Sequence, residues 1–354
     1  MDNLTRREFL RRLAALGLGT MASTALSACG QQPVPTSTAG PPTAVPLHST
    51  PTAAGVAPPT LVPPTATAVV PTATSMPTVA VAPEYPHLAV VRNGEPDELV
   101  RRALAALGGM ERFVHSGDEV IVKPNICVAY HTYEYAATTN PWVVATVVRL
   151  CLEAGARRVR VLDQPFGGGP EEAYRRSGIE EHVKAAGGQM EIMSSFKFVS
   201  TEIPRGLDLK KWDMYEDALQ ADVLINVPIA KDHSLARLTL GMKNLMGLIR
   251  NRGSMHSNLG QRLADIASRF QPELTIVDAV RILTANGPSG GDLDDVKTLN
   301  TLIASPDIVA ADSYAATLFD LKPEDLAYIR AGTAMGLGRS DLANLKIEEI
   351  GIVS

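Results

Sequence analysis

Between Leu88 and Ile352 the sequence repeats one pattern. A short, near-continuous run of Val, Ile and Leu is followed by a longer stretch with helical apolar spacing. The apolar runs are LAVVR (88–92), EVIVKPNI (119–126), RVRVLDQ (158–164), QMEIM (189–193), DVLINVPI (222–229), LTIVDAV (274–280), TLIASP (301–306) and KIEEIGI (346–352). The periodicity between them predicts helices over 96–108, 141–154, 170–186, 234–249, 257–269, 307–318 and 323–335. Asn140 and Pro141 suit the start of the second of these, Asn as cap and Pro in the first turn. Strands apolar on both sides, separated by amphipathic helices, belong to a mostly parallel sheet covered on both faces. The expected fold class is α/β, a mostly parallel sheet with helices on both faces, built as one large domain or two intertwined lobes.

The chain ahead of this region is a different material. From Gln31 to Pro83 there is no Lys, Arg, Asp or Glu, and thirteen of the chain's 25 prolines lie there among Thr, Ala and Ser. Such a composition cannot bury a core and favours extended, polyproline-like conformations. At about 3.1 Å per residue it reaches on the order of 150 Å when fully extended, which suits a tether. Ahead of it stands TRREFLRR (5–12), then a weakly apolar stretch ending in LSACG (26–30). A short apolar core with basic flanks reads as an export signal rather than a membrane span. The paired arginines resemble a twin-arginine signal, and Leu-Ser-Ala-Cys resembles a lipobox that makes Cys29 the lipidated first residue. An uncleaved N-terminal anchor is the alternative. The expected organisation is a signal peptide over 1–28, a lipidated Cys29 and tether over 29–83, and an α/β domain over 84–354. The expected location is the outer face of the cytoplasmic membrane, held by lipid at about 0.8 kcal/mol per buried methylene.

Charge and cysteine content narrow the partners. The formal charge is −5. The signal carries a net +2, and its removal leaves −7 with no Lys/Arg run in the remainder, which disfavours nucleic acid. Besides Cys29 only Cys127 and Cys151 remain, without a Cys-x-x-Cys pattern, so a cysteine-ligated iron–sulfur cluster or zinc site is not expected and the cofactor is unknown. Cys151 falls on the apolar face of its helix with Val144, Val147 and Val148. Cys127 follows a strand, and whether the two pair stays open.

In open α/β sheets ligands bind beyond the carboxyl ends of the strands. Those ends carry Lys123 and Asn125, Asp163, then Lys231, Asp232 and His233, and Asp278. Two of them lead into glycine-rich loops, FGGGP (166–170) and NGPSGGD (286–292), the second containing Gly290. Each loop is compatible with a tight turn or with a backbone cradle for an anion, and neither matches a Walker loop or G-x-G-x-x-G. On a helix from Ser234, Leu235, Leu238, Met242, Leu245, Met246 and Ile249 form an apolar stripe, and Lys243 lies on another face between Thr239 and Gly247. Lys243 can snorkel to solvent, Asn244 can be a structural hydrogen bonder, and His233 can cap the helix. Lys231, His233, Lys243, Asn244 and His256 nevertheless fall within 26 residues of an otherwise apolar region. Such a gathering of cations and donors suits a carboxylate or phosphate.

Five segments together resemble the domain-of-unknown-function family 362: VIVKPNI, TTNPWVVATVVRLCLEAGARRVRVLDQP, DVLINVPIAKDHSLARLTLGMKNLMGLI, LTIVDAVRILTANGPSGGD and LIASPDIVAADSYAATLFDL. The likeness covers nearly all of 88–352. It implies the same fold and singles out Lys123, Asn125, Asp163, Lys231, His233, Lys243, Asn244, His256, Asp278, Asn286 and Asp312. Many members carry ferredoxin-like cysteine clusters; this chain does not.

The expected function is binding or conversion of an anionic small molecule. Lys231 and Lys243 would hold the anion, His233 would act as general acid or base, and Asp163 and Asp278 would orient cations or hydroxyls. Lys123, Asn125, Asn244, His256, Asn286, Gly290 and Asp312 complete the ligand-binding set. The alternatives are a solute-binding lipoprotein that leaves its ligand unchanged and a metal site built from Asp163, His233, His256 and Asp278.

Overall fold

Successive residues of the central strands face opposite sides of one sheet. In the first strand Leu88 and Val90 join one apolar cluster while Ala89 and Val91 join the other. Ile121 against Val120 and Val122, and Val277 against Ile276, divide in the same way. This alternation follows from the period of two along a strand, and it explains why the strands read as unbroken apolar runs.

The computed structural model describes residues 84–353; the expected signal peptide, Cys29 and the expected tether lie outside the described residues. In chain order the elements are β1 (Leu88–Arg92), α1 (Pro96–Ala106), β2 (Glu119–Pro124), α2 (Pro141–Glu153), β3 (Arg158–Val161), α3 (Pro170–Arg176), α4 (Ile179–Ala185) and β4 (Gln189–Met190). A hairpin of β5 (Phe198–Glu202) and β6 (Lys211–Tyr215) leads through α5 (Glu216–Gln220) into β7 (Val223–Val227). Then come β8 (Ile229–His233), β9 (Arg237–Thr239), α6 (Gly241–Asn244), α7 (Leu259–Phe270), β10 (Leu274–Leu283), β11 (Val296–Ser305), α8 (Ile308–Thr317), α9 (Ala327–Ala334) and β12 (Ile347–Gly351).

The sheet runs β12-β1-β11-β10-β7-β2-β3-β4, with β8 continuing beside β10 and carrying β9. The pairs β10–β7, β7–β2, β2–β3 and β3–β4 are parallel, as are β1–β12 and β10–β8. Only β11, against β1 and β10, and the β8–β9 hairpin run antiparallel within it. Residues of α1, α2 and α4 pack on one face, and those of α7, α8 and α9 on the other. The fold class is thus α/β with a mostly parallel sheet, and both apolar clusters belong to that single sheet.

Three expected helices take a different form. The segment 170–186 breaks into α3 and α4 at Gly178, whose φ of 77° ends one helix and starts the next. The segment 323–335 divides into a 3-10 turn at Pro323–Asp325 and α9. The stretch 234–249 is no long helix. It is the β9 half of a hairpin, the single turn α6 and a 3-10 turn at Leu245–Leu248. Leu235, expected in its apolar stripe, is 62% exposed, whereas Leu238, Leu240, Met242, Leu245, Leu248 and Ile249 are all buried. A run buried on every side carries no period from which helix and strand can be told apart.

Candidate functional site

Strand β2 lies between β7 and β3, so its last residues emerge at the middle of the sheet. Lys123 is fully buried there. Its Nζ pairs with Asp163 Oδ1 at 2.7 Å and donates to Asn244 Oδ1 at 3.0 Å and Pro124 O at 2.8 Å. An ammonium has three protons, and all three are used. Burial pulls the Lys123 pKa down, and the Asp163 charge opposes that pull. Asp163 is equally committed, accepting from the backbone amides of Ile126 and Gln164 at 2.6 and 2.8 Å. Gly247 makes room for the pair: a Cβ there would lie 2.0 Å from Asp163 Oδ1 and 2.6 Å from Lys123 Nζ.

A relay of amides extends from this pair. Asn244 Nδ2 donates to Asn226 Oδ1 at 2.8 Å and to Lys123 O at 3.1 Å, and Asn226 Nδ2 donates to Gly241 O at 3.0 Å. Asn244 Oδ1 accepts from Lys123, so it also takes the Asn125 Nδ2 proton at 2.9 Å. The orientation of Asn125 is thereby fixed, and its Oδ1 is left buried with no partner.

Lys231 is the second internal cation. Its Nζ donates to Ala137 O at 2.6 Å and Pro288 O at 2.8 Å, and the Cys127 thiol is its third neighbour. Burial is the chief cause of its lowered pKa. His233 Nδ1 accepts from the amides of Leu235 and Ala236 at 3.1 and 3.3 Å, so the ring proton resides on Nε2. Burial first, then the charges of Lys243 and Lys231, push the His233 pKa down to about 3. It is a neutral donor throughout the physiological range and not the acid–base group expected from its ordinary pKa.

Lys123, Asn125, Asp163, Lys231, His233 and Asn244 border a cavity of about 510 Å³ that is also lined by Gln164, Phe166, Lys243, Arg252 and His256. Arg252 donates to Gln164 O and Pro165 O, both at 2.9 Å. Gln164 Oε1, like Asn125 Oδ1, is buried without a partner. Lys243 makes no hydrogen bond or ion pair among the described residues. Its pKa is lowered to about 8, by burial first and then by the charge of Lys231, with Arg252 and Lys123 adding to the effect.

Of the residues expected at the site, Lys123, Asn125, Asp163, Lys231, His233, Lys243, Asn244 and His256 line this cavity. Asp278, Asn286, Gly290 and Asp312 do not. Asp278 is fully buried and accepts from the amides of Asn140 and Val280 at 2.7 and 2.9 Å, which anchors the start of α2. Asp312 accepts from the amides of Gly241 and Met242 at 2.6 and 2.9 Å and so starts α6. Asn286 donates to Asp295 Oδ2 at 2.7 Å on the surface, and Gly290 sits at φ 66° in the same loop. Neither glycine-rich loop cradles an anion with its first amides. Phe166 and Gly167 donate to Cys127 O, and Gly287 donates to Asp232 Oδ2. Pro288 of the second loop still reaches the cavity, where its carbonyl fixes Lys231.

Both Cys127 and Cys151 are free thiols. Cys151 stays within the α2 core beside Met110, and burial pushes its pKa up. Among the described residues no group of three or more His, Cys, Asp or Glu converges as a metal site requires, so the tetrad Asp163, His233, His256 and Asp278 is not assembled. No helix among them is long and apolar enough to cross a membrane. Sequence reasoning missed Asn226, Gln164 and Arg252. Asn226 sat inside a strand read as apolar, and Gln164 and Arg252 sit in loops without a motif.

Comparison with known proteins places this chain in a family. Thylakoid-associated protein sll1697 of Synechocystis sp. (strain ATCC 27184 / PCC 6803 / Kazusa) is 29% identical over 253 residues, which are 67% of this chain and 74% of that protein. Among solved structures, the lactate racemase apoprotein of Thermoanaerobacterium thermosaccharolyticum matches 60% of this chain and 53% of its own at 10% identity and a TM-score of 0.38. A Thermotoga maritima protein matches 64% of this chain and 60% of its own at 12% identity and a TM-score of 0.38. The chain thus spans less than two thirds of either structure. The family model of the domain of unknown function DUF362 matches residues 120–317, from β2 through α8, and the chain belongs to that family.

Proposed function

We propose that the cavity binds a small anion that also carries hydroxyl or amino hydrogen-bond donors. The observation that carries this reading is the pairing, in one cavity, of a cation with no hydrogen bond or ion pair among the described residues, Lys243, with two buried acceptors likewise without partners among them, Asn125 Oδ1 and Gln164 Oε1. A buried polar group left unpaired costs about 1–3 kcal/mol, so a ligand that supplies both complements is favoured. Lys123 and Lys231 do not grip the guest themselves, since their amino groups are committed to protein partners. His233, with its neutral Nε2–H, and Arg252, with its remaining N–H groups, line the same cavity and are further candidate donors. This reading departs from the expectation that Lys231 itself grips the anion.

The setting that the sequence supports is extracytoplasmic, with the folded part held at a membrane by lipid on Cys29 and a long tether. The name of the cyanobacterial relative, a thylakoid-associated protein, is in keeping with a membrane-associated role.

Calorimetric titration of the protein with glycolate, glycine and inorganic phosphate tests the reading. Lys243→Met is expected to weaken glycolate binding at least about tenfold, equivalent to about 1.4 kcal/mol. Affinity should also fall as pH rises through about 8, because the ammonium that attracts the anion is lost there. Equal affinity in wild type and Lys243→Met would remove the proposal.

A further inference from the structure

Lys243 stands apart from the other lysines of the cavity. The amino groups of Lys123 and Lys231 donate to protein acceptors, whereas Lys243, which lines the same cavity, has no hydrogen-bond acceptor or ion-pair partner among the described residues. The neutral His233 ring lies close enough for the Lys243 charge to depress its titration, and its Nε2–H is available as a donor because Nδ1 is occupied by two backbone amides. An amine without an acceptor of its own, in a cavity shared with other basic side chains and a neutral N–H donor, is the arrangement that a nucleophilic lysine requires.

Building on the anion-binding reading, we propose that Lys243 forms a reversible imine with the carbonyl carbon of a small oxo acid, an aldehyde or ketone that also carries a carboxylate. The carboxylate lies in the field of Arg252, and the carbonyl oxygen accepts from His233 Nε2–H. The lone pair of the amine attacks the carbonyl carbon and a C–N bond forms. Both amine protons end on the former carbonyl oxygen, the C–O bond breaks and one water leaves as C=N is completed. Electrons balance without an oxidant or reductant. The lowered pKa of Lys243, driven first by burial and then by Lys231, supplies free amine near neutral pH. Lys197 provides the contrast, because its hydrogen bond to Asp217 raises its pKa.

The test uses glyoxylate with sodium cyanoborohydride, which reduces an imine to a stable carboxymethyl-lysine, followed by peptide mass mapping. At pH 7 Lys243 is expected to be labelled at least about tenfold faster than Lys197, since each unit of pKa changes the neutral fraction tenfold. Lys123 and Lys231 are expected to stay unlabelled. Lys243→Arg keeps the charge, lacks a nucleophilic amine, and should lose the adduct at that position. Glycolate binding is measured in parallel on the same wild-type sample. Labelling at Lys243 no faster than at Lys197 overturns the imine. If glycolate still binds in that case, the anion site stands without it; if glycolate does not bind, both readings fall.

Discussion

His233 shows how a residue's neighbours decide its role. Its type suggests titration near neutrality, yet two backbone amides occupy Nδ1 and three nearby cationic or titratable groups oppose a second proton. Its ring resonances are expected to stay flat between pH 5 and 8 in an NMR titration; a step within that interval would contradict the geometry. The sign for stability follows. The folded pKa of about 3 lies below the ordinary 6.5, so the contribution of His233 is present above about pH 6.5 and is lost as pH falls toward 3. Lys123 makes the complementary case. Replacing it with Met leaves Asp163 buried without its counter-charge, a loss of about 3–5 kcal/mol that chemical denaturation would read. The sequence placed Lys123 and Asp163 correctly at strand ends, but it read Lys243 onto a long helix and could not show which lysines had spare protons. That depends on the carbonyls of Ala137 and Pro288, which have no side-chain signature.

At the scale of elements, α6 is only one turn long and depends on outside help. Asp312 on α8 takes the first two amides of that turn, and Asn226 on β7 donates to the Gly241 carbonyl. Burial raises the Asp312 pKa to about 7. A carboxyl raised above its ordinary 3.8 contributes stability below about pH 4, and that contribution is lost as pH rises through about 7. Asp312→Ala is expected to cost about 1–3 kcal/mol through two orphaned amides. It should also reduce glycolate affinity, because α6 carries both Lys243 and Asn244; unchanged thermal stability would contradict this. Most of the sheet was legible from alternation and apolar runs. The β5–β6 hairpin was not, because its strands are short and mostly half-exposed and lack the continuous apolar pattern. The stretch 234–249, which holds β9, α6 and the 3-10 turn after it, was read as one helix because nearly all its apolar residues are buried.

At the scale of the whole molecule, the central strands β2, β3 and β7 bring Lys123, Asp163 and Asn226 together although they are far apart in the chain. A sequence alone lists such positions but not their distances, which are set by strand order. The proposed tether adds a prediction of its own. In cells expressing the full chain, Cys29→Ser should move the protein from the membrane fraction to the soluble extracytoplasmic fraction; retention in the membrane would point to the uncleaved anchor instead. The internal consumption of the Lys123 and Lys231 protons also bears on speed. Neither side chain has a water shell to shed or a rotamer to select when a guest arrives, so little rearrangement separates the empty from the occupied state. In the proposed binding, capture is expected to be governed by how quickly an anion diffuses past the exposed Phe166 and His256 of the cavity lining, and added salt should slow arrival more than it hastens departure.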